Sequence, residues 1–213
     1  MLSKIFSIYV DRADFFVELL GEHLAICGIA ILCGGLLGLA LGIFVSSRPK
    51  LAAPVIGITN IIYTIPSIAL LGFLIPISGI GDTTACIALT IYALMPIVKN
   101  TYTGLIGVDP NIIMAAEGMG STEHQIMWRI RLPLAFPVIW TGFRNMVVMV
   151  IAMGGIASFI GAGGLGVAIY RGITTNNLAL TVAGGIIIAL LAFLIDLALD
   201  GLGKYIIKKR RLL

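Results

Sequence analysis

Residues 99–133 read KNTYTGLIGVDPNIIMAAEGMGSTEHQIMWRIRLP. They form the longest polar interval between apolar segments and carry six charges, Lys99, Asp109, Glu117, Glu123, Arg129 and Arg131, together with His124. The chain on either side is charge-poor. Asp109-Pro110 suits a helix start, because aspartate caps well and proline is accepted at the first helical position. That helix would cover 111–117 and end near Gly118 or Gly120. Ser121 or Thr122 caps a second, which takes in Gln125–Arg131 and leads by Pro133 into an apolar segment. Local chemistry leaves two readings open: a rigid knob for a partner protein, or a long loop lying on lipid headgroups.

Working outward, the composition selects the solvent. Of 213 residues, 59% are hydrophobic and 11% charged, against about 25% charged in soluble domains. Glycine is abundant, with 26 residues, and small residues let membrane helices approach closely. The reading is an all-α integral membrane protein with about five spanning helices. The formal charge of +4 is then no sign of nucleic-acid binding. Cys27, Cys33 and Cys86 lie in apolar runs without a nearby His/Asp/Glu cluster, so they read as small buried hydrophobes and no metal site is expected.

Residues 1–23 mix apolar and charged positions, with no cleavage-like site after them. Phe15, Phe16, Leu19 and Leu20 share one helical face; Asp14, Glu18 and Glu22 share another. This is either an amphipathic surface helix or a polar extension of the first span. Leu24–Val45 has 22 uncharged residues, about 33 Å of helix. Its Gly34, Gly38 and Gly42 fall four apart, a close-packing stripe. A second span over about 52–75 contains Pro66, which predicts a kink. Thr83–Val98 is a third. A fourth begins at Leu132 and encloses Arg144, about 15 Å deep, which must face protein, water or a partner. The glycines of 161–166 predict a break with positive φ; no Lys-Ser/Thr follows to make a phosphate loop. The last span starts at Leu178 and continues through Asp196 and Asp200, which read as interfacial or helix-pairing acids.

Charge sets the orientation. The basic tail belongs in the cytoplasm, and counting back through five spans places 99–133 and Arg48–Lys50 there too. Those segments hold ten of the fourteen Lys and Arg residues. The N-terminus falls outside and the C-terminus inside a cell (plasma or inner) membrane.

Ala115-Ala116, Gly120, Ile130, Leu132 and Pro133 match in spacing the EAA–G–I–LP motif of ABC-importer permeases. Met114 stands where that motif has glutamate. Residues 65–76, 94–105 and 157–166 resemble permeases of the osmoprotectant family, which import glycine betaine, carnitine and choline. The resemblance implies a type I ABC-importer transmembrane domain over 24–203. An external amphipathic segment precedes it at 1–23, a cytoplasmic coupling segment lies at 99–133, and a basic cytoplasmic tail follows at 204–213. It implies partners: two cytoplasmic ATPase subunits, a second permease subunit, identical or homologous, an external solute-binding protein and lipid. ATP and Mg would be used on the ATPase; this chain would hold no cofactor and would not be an enzyme. Ala115, Ala116, Gly118, Gly120, Ile130, Leu132 and Pro133 would couple to the ATPase. In that role Gly120 would avoid crowding the turn and Pro133 would fix the start of the fourth span.

For the translocation pathway, the kink residues Tyr63, Thr64, Pro66 and Ser67 are the expectation. A quaternary ammonium favours aromatic faces, and Tyr63, Tyr92, Trp140 and Phe143 are available. Competing readings are a same-fold importer for methionine or another small solute, an ion-coupled transporter using Asp196, and a membrane scaffold or channel component.

Overall fold

The computed structural model describes residues 2–210; Arg211 of the basic tail lies outside them. The described residues are helical throughout, joined by short turns. Helix α1 (Leu2–Asp11) precedes α2 (Ala13–Ser46), whose 34 residues run unbroken through position 23. Residues 13–23 therefore extend the first span, one of the two forms the sequence allowed. Phe16 and Leu19 are buried in a satellite core with Ile5 of α1, and Tyr9 donates a 2.8 Å hydrogen bond to the Ala183 carbonyl.

Helices α3 (Pro49–Thr64) and α4 (Ser67–Ser78) replace the single kinked span expected at about 52–75. They are bent by 100°. The cause is local: a residue before proline is pushed out of helical backbone, and Ile65 is extended at φ −65°, ψ 128°. The buried Tyr92 hydroxyl donates to the Ile65 carbonyl. Helix α5 (Asp82–Ile106) continues eight residues past the expected end at Val98. Packing carries it there, since Thr101, Gly104 and Leu105 are buried.

The polar interval thus shrinks to 107–126, containing α6 (Pro110–Gly118) and α7 (Glu123–Ile126). A π-helical turn at Met127–Arg131 joins α7 to α8 (Leu132–Gly154), making one rod of 32 residues. A 3-10 turn (Ala157–Ile160) follows, then α9 (Gly166–Thr174) and α10 (Leu178–Arg210). Gly161 (φ 77°) and Gly164 (φ 91°) form the break read from the glycines. Among the described residues, α2, α5, α7–α8 and α10 are each long and apolar enough to cross a membrane, and the bent α3–α4 pair makes up to five.

Helix α5 is the central element. A Cβ on Gly34, Gly38 or Gly42 of α2 would collide with Ala93, Ile97 or Thr101 of α5 respectively. On the other side, a Cβ on Gly142 of α8 would collide with Asn100. In lipid this surface fit, rather than expulsion of water, holds helices together. The Thr101 hydroxyl is buried there without a hydrogen-bond partner. Thr101→Val keeps the shape and removes that unpaired oxygen, so it should stabilise the protein by about 1 kcal/mol. Thermal unfolding in detergent checks this; an unchanged or lower midpoint would mean the hydroxyl is satisfied.

Arg144 joins α8 to α10. Its guanidinium meets Asp196 at 2.5 and 2.8 Å and Asp200 at 2.5 Å, while Lys204 meets the second oxygen of Asp200 at 2.6 Å. The arginine inside the fourth span therefore faces protein, and the two acids of α10 are helix-pairing groups.

Candidate functional site: a capped knob and a polar cavity

The 107–126 segment is a knob with its own small core. Asp109 caps α6 by accepting the Asn111 N–H at 2.8 Å. Thr122, of the two candidate caps, starts α7. Its hydroxyl accepts the Gln125 N–H at 3.3 Å, and its own N–H reaches the Gln125 side chain at 2.9 Å. This reciprocal capping fixes where the second helix begins. Ile113, Ala116 and Ile126 are buried together, with Val108 and Ile130 packed on them.

The sequence-predicted residues divide within this knob. Ala116 and Ile130 belong to its core, whereas Ala115, Gly118 and Gly120 are exposed. Leu132 and Pro133 are half-buried at the start of α8. Gly120 has a different reason from the one expected. No atom lies within 4 Å of where its Cβ would stand, but its φ is 82°. Backbone handedness, not crowding, calls for glycine there. Pro133 does not break the chain's course, because the rod is helical on both sides of it. Ile113 and Ile126 were missed; their apolar character inside a polar interval was the available signal. Met114 and Met119 of the knob are 64% and 80% exposed, and Trp128 of the adjoining π-turn 55%, so apolar side chains stand on its outer surface among polar ones.

A second feature lies where α3, α5 and α8 meet. A cavity of about 450 Å³ is lined by Tyr63, Lys99, Asn100, Thr103, Asn145 and Met149, among others. Of the four kink residues only Tyr63 reaches it. Thr64 instead bonds back to the Ile61 carbonyl at 2.7 Å, and Pro66 and Ser67 lie at the start of α4. Asn145 is exposed although it sits nine residues from the end of α8, about 14 Å along the helix. A polar side chain at that depth needs water or a partner rather than lipid. The sequence hid this site: Lys99, Asn100 and Thr103 read as loop, and Asn145 was overshadowed by Arg144.

The four aromatics do not converge. Tyr63 and Tyr92 meet edge-on at 6.2 Å between ring centroids. Trp140 and Phe143 line a separate apolar groove against Leu32 and Leu36 of α2, and the Trp140 indole donates to the Leu199 carbonyl at 3.1 Å.

At the end of the bundle away from the knob, acids hold the glycine loop. Gly163 N–H donates to Asp82 and Gly164 N–H to Glu22, both at 2.8 Å. His23, buried beside Gly164, contacts the Ile151 carbonyl at 3.1 Å through Nε2. Among the described residues no group of three or more His, Cys, Asp or Glu is placed to hold a metal ion.

The model of the binding-protein-dependent transport system inner membrane component family matches residues 34–212. The chain belongs to this family. It is a transport permease component and not a catalytic domain. The permease is 37% identical over 199 residues to the carnitine transport permease protein OpuCD of Listeria monocytogenes, covering 93% of this chain and 89% of that one. It is 38% identical over 179 residues to the glycine betaine/carnitine/choline transport system permease protein OpuCB of Bacillus subtilis, covering 84% and 82%. Its structure matches a chain of the MetNI methionine ABC transporter in inward-facing conformations, with a TM-score of 0.83, 27% identity, and 92% and 97% coverage. The type I ABC-importer fold expected from the motif is therefore the fold observed, in a multi-pass integral membrane protein.

Proposed function

We propose that this permease is the membrane-spanning subunit of an ATP-driven importer for quaternary-amine osmoprotectants such as glycine betaine, carnitine or choline. The observation that carries the substrate class is the 37% identity, along 93% of the chain, to a carnitine permease. The exposed apolar knob of α6–α7 is the coupling surface for a cytoplasmic ATPase, with Ala115, Met114 and Met119 outward and Ala116, Ile113 and Ile126 as its internal support. Two such ATPase subunits, using ATP and Mg, act on a pair of permeases, identical or homologous, and an external binding protein delivers the solute. The knob and basic tail face the cytoplasm, and the N-terminal segment and the clasped 161–164 loop face outside. The solute passes the cavity beside Tyr63.

This assignment leaves the ion-coupled reading without its acid, because Arg144 occupies both oxygens of Asp196. The likeness to a methionine transporter keeps one other reading: the same machine carrying a different small solute. Purification from native membrane with bound partners, followed by ATPase assays, separates them. The expected result is co-purification with an ATPase whose turnover, with the recovered binding protein present, rises on adding betaine, carnitine or choline. Stimulation by methionine alone would replace the substrate class, and transport without any ATPase would remove the ABC mechanism.

A further inference from the structure

The cavity beside Tyr63 contains a lysine that no acid among the described residues pairs with. Lys99 is exposed, and among the described residues it makes no ion pair; the ion pairs of those residues are those of Arg144, Asp196, Asp200 and Lys204. Its depth follows from its neighbours. Thr101 packs on Gly42 of α2, four residues short of the end of that helix at Ser46, about one helical turn. Lys99 therefore stands just inside the knob end of the bundle, in a cavity that also holds Asn100, Asn145 and the Tyr63 ring. One amide hydrogen of Asn100 is used on the Pro96 carbonyl at 2.8 Å, while its oxygen and the whole Asn145 amide are left for a passing solute.

These groups differ in what they accept. An ammonium attracts a carboxylate and repels a cation. A tyrosine face attracts a trimethylammonium group. A solute bearing both ends satisfies Lys99 and Tyr63 together; one bearing only the cation meets the ring and is pushed back by the lysine. We propose that Lys99 is a specificity determinant that recognises the carboxylate of zwitterionic quaternary amines, and so favours glycine betaine and carnitine over choline at the cytoplasmic half of the path. This rests on the osmoprotectant reading above and goes beyond it, since that reading does not rank the three solutes.

The test uses the whole importer, reconstituted with its ATPase in liposomes and supplied with binding protein saturated by each solute in turn. Lys99→Gln should lower the ratio of betaine to choline uptake about tenfold, the loss expected for one hydrogen bond to a charged group. Lys99→Arg should retain the wild-type ratio. A second measurement needs no variant: acylation of Lys99 by an amine-reactive reagent, read by mass spectrometry, should be slowed by betaine and not by choline. Equal loss of all three solutes in Lys99→Gln overturns the proposal. So does a Lys99→Gln effect that vanishes in liposomes free of anionic lipid, since the lysine would then be holding a headgroup. If the wild-type importer moves none of the three, the osmoprotectant reading fails first; if it moves them and the ratio is unchanged, only the role of Lys99 fails.

Discussion

Gly38→Leu should abolish accumulation of the folded permease. The Cβ alone would already collide with the Ile97 side chain, and a leucine adds three more carbons at the point where α2 crosses α5. Overpacking a tight core costs about 1–3 kcal/mol even where neighbours can shift. Here Gly34 and Gly42 clamp the same interface one turn either way, against Ala93 and Thr101, so α2 has little room to move aside. The control is on the same helix. Gly28 has no atom within 4 Å of its Cβ position, and Gly28→Leu should be tolerated, helped by leucine's better helix propensity. Membrane abundance and monodispersity in detergent compare the two variants. Similar behaviour would show that the stripe is not what sets the distance between α2 and α5. Partial recovery of the milder Gly38→Ala by Ile97→Ala would place the fault at that contact.

Ala116→Asp should leave the spans folded and break coupling. Ala116 is 1% exposed and packs with Ile113 and Ile126. An unpaired buried carboxylate costs about 3–5 kcal/mol, more than a knob of two short helices can absorb. The knob should lose its shape while α2, α5, α8 and α10, which do not depend on it, persist. The permease would reach the membrane, ATPase association would weaken on the order of a hundredfold, and transport would be lost with it. Ala115→Asp supplies the contrast: it is exposed, so it alters the outer surface without melting the knob. Normal ATPase retention by Ala116→Asp would remove the knob from the coupling path.

Much of this architecture was legible because lipid simplifies the code. Charge-free runs marked the spans, the spacing of Gly34, Gly38 and Gly42 marked a helix contact, and Arg144 had to avoid lipid. Asp109-Pro110 wrote the first helix start of the knob in capping chemistry, while the second lay open between Ser121 and Thr122 until the reciprocal bonds with Gln125 decided for Thr122. What stayed hidden was tertiary. Whether Pro66 kinks or breaks a helix depends on whether something meets the exposed carbonyl, and Tyr92, 26 residues later, does so. The polar residues from Lys99 to Thr103 read as loop because their helix is continued by neighbours on α2 and α8. For the same reason, of the four kink residues expected to line the path, only Tyr63 reaches the cavity between α3, α5 and α8. A cavity assembled from three helices leaves no local trace in any one of them.

The rod from Glu123 to Gly154 has a mechanical consequence. Its 32 residues are about 48 Å long and run from the knob to the far tip. A tilt of about 5° imposed at the base swings the tip by about 4 Å over that length. The tip is not loose: Gly154 abuts Cys27 and His23, so displacement there is delivered directly to the first span and, through His23, to the glycine loop. The π-helical turn at 127–131 is a compliant section, where a widened turn can take up rotation without snapping the backbone ladder, and Pro137 just beyond it removes one bond of that ladder. Lever length is thus set by helix length, and the slack is concentrated near the knob rather than near the far tip.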